Sequence, residues 1–198
     1  NGTDYGSLSS ITVSAGDLTG TASFTPTDDS VYEGNETAVV SISSVSGADA
    51  AESGTQSVTI TITENESAPT VTLSSSANSI AENAGSSLTL TATLSVATTA
   101  DVTVGISTSG TGTEGTDYST ISDITISAGA TTGTASFTPT DDNTYEGNET
   151  GIVAISTVSG GSATEDGTQS VTITINENET PPVVNLSINN SSIAENSN

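Results

Sequence analysis

Residues 134–157 read TASFTPTDDNTYEGNETGIVAIST, and this stretch decides the fold. Two strand-like segments, Thr134–Pro139 and Glu149–Thr157, flank a loop that gathers Asp141, Asp142, Glu146 and Glu149 within nine residues. The same text stands 113 residues earlier: TASFTPTDD starts at Thr21 and Thr134, and YEGNET at Tyr32 and Tyr145. GTQSVTITI starts at Gly54 and Gly167, and SIAEN at Ser79 and Ser192. A constant period of domain size marks tandem modules. The expected boundaries are the later part of one module over 1–66, a complete module over 67–179, and the opening strand of a third over 180–198. The chain is accordingly expected to be a stretch of a longer array.

Working outward, apolar residues alternate with Thr and Ser. Leu88, Leu90, Ala92 and Leu94 follow this rule, as do Val102, Val104 and Ile106, Ile124 and Ile126, and Val171, Ile173 and Ile175. A period of two with hydroxyls on the wet face is the pattern of half-buried strands. Ser and Thr make up 72 of 198 residues, yet this alternation argues against a disordered stalk. Strands are expected near Thr70–Leu73 with Ser79–Glu82, then at Ser87–Leu94, Val102–Ser107, Asp123–Ser127, Thr134–Pro139, Glu149–Thr157 and Gln169–Glu177. About seven short strands in one period fit an all-β, two-sheet sandwich. Phe137 and Tyr145 are expected in its core, and Tyr32 at an equivalent position. The 1–66 fragment lacks the early strands of its module and is expected to expose edges and half a core.

The sequence holds 24 Asp and Glu and no Lys, Arg or His. No side-chain cation exists to pair with a carboxylate or to grip phosphate, so nucleic acid and anionic membrane surfaces are excluded as partners. Cysteine is absent, which removes disulfides, thiolate metal sites and thiol catalysis. No apolar run approaches the roughly 20 residues that span a bilayer. Without Trp, His or Lys, and with acids on a wet loop, an enzyme is not expected.

The acids cluster. Asp117, Asp141, Asp142, Glu146 and Glu149 are joined by Glu82 at the first strand and by Glu177 and Glu179 at the last. If the sandwich forms, these meet at one end. Uncompensated carboxylates there suit Ca²⁺, which takes six to eight oxygen ligands, better than Mg²⁺ or Zn²⁺. The bland alternative is that they keep a crowded fibre soluble. For Asp17, Asp49, Asp101, Asp123 and Asp166 that solvation reading is preferred.

These residues resemble the Calx-beta domain family. The matching positions are Glu82, Gly115-Thr116-Asp117-Tyr118, Asp141-Asp142 and Glu146 with Glu149, and in the earlier fragment Asp4-Tyr5, Asp28-Asp29, Glu33 and Glu36. The resemblance implies a seven-stranded, immunoglobulin-like Greek-key sandwich able to bind several Ca²⁺ at one end. Glu64 and Glu66 correspond to Glu177 and Glu179, and Glu195 to Glu82, completing the candidate ligand set. The last strand closes with Glu-Asn-Glu where calcium-binding members often carry a run of Asp, which implies fewer or weaker sites.

Eight Asn-x-Ser/Thr sequons begin at Asn1, Asn35, Asn65, Asn148, Asn178, Asn185, Asn189 and Asn190, so glycans are a candidate decoration. The functional expectation is a structural module of a long extracellular surface fibre, filament or adhesin. Its partners would be neighbouring modules or copies of itself, with Ca²⁺ stiffening the joints. Two alternatives stay open: a Thr/Ser-rich adhesive face for carbohydrate or a surface, and a calcium sensor controlling a linked domain.

Overall fold

A computed structural model describes residues 4–195; the Asn1 sequon lies outside them. The elements are β1 (Val31–Tyr32), β2 (Glu36–Ser41), β3 (Ser57–Ile62), β4 (Thr70–Ser75), β5 (Ser79–Ala81), β6 (Leu88–Leu94) and β7 (Ala97–Thr98). They continue with β8 (Val102–Gly110), β9 (Ile124–Ile126), β10 (Thr132–Phe137), β11 (Glu149–Ser159), β12 (Thr164–Glu165) and β13 (Ser170–Asn176). Among the described residues no helix is long and apolar enough to cross a membrane.

From β4 onward the strands other than β7 build two sheets, one in the order β10-β6-β4-β12 and the other β5-β13-β11-β8-β9. Alternation sets which face is dry. Val71, Leu90, Ala92, Leu94 and Phe137 of the first sheet meet Val102, Val104, Ile124, Ile126, Val153, Ile173 and Ile175 of the second in one buried cluster. Each fully buried aliphatic side chain contributes about 1.5–3 kcal/mol, which leaves a core of small residues adequate without Trp.

Tyr118 and Phe137 stack at the acidic end of this core, ring centroids 4.7 Å apart. Gly151 on β11 passes directly beneath them: a Cβ there would stand 2.7 Å from the Phe137 ring. Here the expectation for Tyr145 is corrected, since it is 43 % exposed and Tyr118 is the buried tyrosine. The reason is backbone pairing. Tyr118 bridges to Pro139, Ser119 N–H donates to Thr138 O (2.9 Å), and Thr140 N–H donates to Asp117 O (2.9 Å). These bonds press the Asp-Tyr segment inward, whereas Tyr145 rides on the outer loop.

The earlier fragment repeats the local devices without the full sandwich. β2 and β3 pair as an isolated hairpin, Tyr5 bridges to Pro26, and Tyr5 lies on Phe24 with centroids 4.7 Å apart. Ile11 and Val13, whose counterparts Ile124 and Ile126 are fully buried, are exposed. Residues 183–195 form no strand, and Val184, Leu186 and Ile193 stand in solvent. Their counterparts Val71, Leu73 and Ile80 are buried, because those have sheet neighbours to cover them.

Candidate metal centre

The acidic end of the complete module is assembled by five backbone approaches. β10 delivers the Asp141–Asp142 turn, and the bridge at Tyr118 holds Asp117 beside it. β11 begins at Glu149, β13 ends just before Glu177, and β5 ends just before Glu82, which is buried. Parallel pairing of β5 with β13 places Ala81 level with Asn176, and Glu82 N–H donates to Asn176 O (2.9 Å).

Two carboxylate triads result. Asp117, Glu146 and Glu149 form one; Glu82, Glu177 and Glu179 form the other; in each, one oxygen per residue lies within 4.8 Å of the others. Asp142 flanks both, its N–H donating to Glu82 Oε1 at 3.4 Å. Its charge adds to those that raise the Glu82 and Glu146 carboxyls, although desolvation is the larger cause in each. Asp141 is exposed and acts on Glu179 through charge alone.

Glu177 organises the loop. Its Oε2 accepts from the N–H groups of Glu146 (2.6 Å) and Gly147 (2.7 Å), and its Oε1 from those of Asn178 (2.9 Å) and Glu179 (3.0 Å). In return Asn148 Oδ1 accepts from Glu177 N–H (3.0 Å). Gly147 turns with φ +81°, a left-handed conformation that glycine adopts without cost. These backbone donors hold the Glu177 carboxyl down at about 2. Its neighbour Glu179 moves the other way, to about 7, through side-chain hydrogen bonding with Glu177 first, then desolvation and the charges of Glu82, Glu177 and Asp141. Glu179 Oε2 is cut off from solvent and has no hydrogen-bond partner among the described residues. Glu149 is also raised, by desolvation first and then by Asp117 and Glu146.

The fragment carries a matching triad of Asp4, Glu33 and Glu36. Glu64 accepts from Glu33 N–H (2.5 Å), Gly34 N–H (2.7 Å), Asn65 N–H (2.9 Å) and Glu66 N–H (3.1 Å), and is held at about 2. Glu66 is raised, chiefly by hydrogen bonding with Glu64. Asp28 Oδ1 accepts from Asn65 Nδ2 (2.9 Å) and Asp29 Oδ1 from Val31 N–H (2.7 Å), so both serve the loop. Glu195 is exposed and belongs to no such triad among the described residues.

Sequence reading passed over several parts of this construction. Glu114 is one: it accepts from Thr108 Oγ1 (2.6 Å) and Ile121 N–H (2.8 Å), fixing the loop that bears Asp117. Asn148 and Gly147 are others, and their recurrence within YEGNET was the available signal. Asp101 and Asp123 do more than meet solvent. Both are exposed, yet Asp101 caps Ala128 N–H (2.8 Å) and Asp123 caps Ile106 N–H (3.0 Å).

Oxygen-only donors spaced this way fit one hard cation. Ligands on opposite sides of Ca²⁺ stand about 4.6–5.2 Å apart, given bond lengths of 2.3–2.6 Å. The buried, unpartnered Glu179 Oε2 supplies an acceptor that the fold leaves unused.

The Calx-beta domain model matches residues 1–66 and 64–179. The chain therefore belongs to the Calx-beta domain family, as tandem copies, and the family is one of calcium-binding-type modules rather than enzymes. Among solved structures it is similar to one titled "Crystal structure of Apo-form Calx CBD1 domain", at 16% identity and a TM-score of 0.46, covering 57% of this chain and 99% of that one. No curated protein matches.

Proposed function

We propose that this chain is a run of calcium-binding structural modules from an extracellular fibre, filament or adhesin. The observation that carries the reading is the triad of acids recurring at a fixed 113-residue spacing in a sequence without one basic side chain. Asp117, Glu146 and Glu149 hold one ion, and Glu82 and Glu179 a second, with Asp141 and Asp142 at its rim. Glu177 positions rather than ligates. A carboxylate offers about four acceptor positions, and backbone N–H groups already take four. Bound Ca²⁺ supplies the positive charge that the sequence lacks, so it removes repulsion at the module end and stiffens it.

Thermal unfolding of the 198-residue chain tests this. Ca²⁺ at 100 times its Kd stabilises by about 2.7 kcal/mol, so the Tm rises in calcium and returns in a chelator. Mg²⁺ at equal concentration gives a smaller rise. A Tm that responds only to total ionic strength refutes the reading.

A second reading has its own observation. The outer face of the four-stranded sheet is a hydroxyl grid: Thr132, Thr93 and Thr72 lie in register across three strands, and Thr134, Thr91 and Ser74 in the next row. Such a flat face suits adhesion to a carbohydrate or crystalline surface. Retention of the chain on an immobilised polysaccharide, lost on replacing Thr91 and Thr93 with Lys, supports it.

A further inference from the structure

β1 and β7 belong to different modules, and they pair in parallel: Val31 opposite Ala97 and Tyr32 opposite Thr98. β1 lies in the acidic loop of the first module. β7 follows the end of β6 at Leu94, level with Val71, whereas the acidic end of the same sheet is where Leu88 meets Phe137. The bridge therefore joins the acidic end of one module to the opposite end of the next.

The equivalent of β1 in the complete module is Thr144–Tyr145, within the same Asp-Asp…Tyr-Glu-Gly-Asn sequence. Among the described residues no strand pairs with it, and Thr144 N–H turns instead to Asp142 Oδ1 (2.6 Å). Tyr145 is 43 % exposed and Thr144 is exposed, while Val31 and Tyr32 are half-buried. The connecting segment differs in the same sense. Pro69, which leads into the second module, is fully buried and its O accepts from Thr164 N–H (3.1 Å). Its counterpart Pro182 is exposed. On the receiving side Thr98 is 2 % exposed, its O accepts from Gly129 N–H (2.8 Å), and its side chain lies against the backbone of Gly161, where any Cβ would collide with it. The receiving edge is thus tied into the complete module at Gly129 and Gly161.

We propose that this two-residue parallel bridge is the standard joint between modules, and that Thr144–Tyr145 is the docking strand for the Ala97–Thr98 edge of a further copy of the module. The occupant follows from the chain itself: the same sequence element is already seated on that edge once, and residues 180–198 repeat the start of the module that bears it. Main-chain pairing supplies the attachment. The proposal rests on the tandem-module part of the reading above and not on calcium.

Residue-resolved amide exchange, measured both in calcium and in chelator, tests it on two proteins. These are the 198-residue chain and the same chain lengthened by one 113-residue period after Glu179. In both, at least one amide within Val31–Tyr32 exchanges ten or more times more slowly than those of Thr144–Tyr145 in the shorter chain. In the longer chain Thr144–Tyr145 slows to match Val31–Tyr32. Fast exchange at 144–145 in the longer chain overturns the proposal, and so does fast exchange at 31–32 in either. Equal protection at 144–145 in the shorter chain overturns the choice of occupant. Slowing of 144–145 that persists in chelator upholds the joint even where calcium binding fails.

Discussion

Glu177 and Glu179 stand two residues apart and titrate in opposite directions, to about 2 and about 7. The first is held down chiefly by backbone N–H groups; the second is raised by hydrogen bonding with the first, by desolvation and by further carboxylates. The consequences for stability have opposite signs. A carboxyl lowered in the folded state stabilises above its ordinary value near 4.5, and that contribution is lost as pH falls toward 2. A carboxyl raised in the folded state stabilises below 4.5, and its contribution is lost as pH rises through 7. The metal-free chain is therefore expected to show a Tm that falls both below pH 4 and between pH 5 and 7.5, read by calorimetry in chelator. A Tm climbing steadily from pH 4 to 8 contradicts the assignment. Calcium must displace the Glu179 proton, so its affinity is expected to weaken by roughly tenfold per pH unit below 7.

At the scale of the element, the turn at Gly147 and the strand residue Gly151 need glycine for different reasons. Gly147→Ala meets nothing within 4 Å but must hold φ +81°, a cost of about 1–2 kcal/mol. Gly151→Ala drives a methyl into the Phe137 ring, a cost of about 1–3 kcal/mol. Denaturant unfolding in chelator measures both, and calcium affinity separates them, because only the Gly147 turn presents its N–H to Glu177. Period-two runs such as Leu88–Leu94 and Val171–Ile175 were legible because each buries one face only. β7 and β12 were not, since two residues carry no period. Tyr145 misled because an aromatic beside a turn reads the same whether it points in or out; the bridge from Tyr118 to Pro139 settles it, and it joins residues 21 apart. The acids of the site were visible from their spacing and from the missing cations. The capping of Glu146 and Gly147 by Glu177 was not, because it links positions about 30 residues apart.

For the whole molecule, the balance lies between a thin core and a charge of −24 that no side chain offsets. Phe137→Ala removes the largest apolar side chain of that core, fully buried between the sheets, and is expected to cost about 3–5 kcal/mol. Sodium chloride should raise the Tm of the metal-free chain by screening, with most of the gain reached near 0.15 M, where the Debye length is about 8 Å. Calcium should act at concentrations far too low to screen, and that difference separates binding from ionic atmosphere.

Isothermal titration of the chelator-treated 198-residue chain with Ca²⁺ at pH 7.5 and 0.15 M salt tests the central claim most directly, run beside Asp117→Asn with Glu149→Gln. The account predicts saturable binding of at least two ions per chain, with a stoichiometry lower by one in the double variant. Heats no larger than dilution, or a stoichiometry the double variant leaves unchanged, would contradict it.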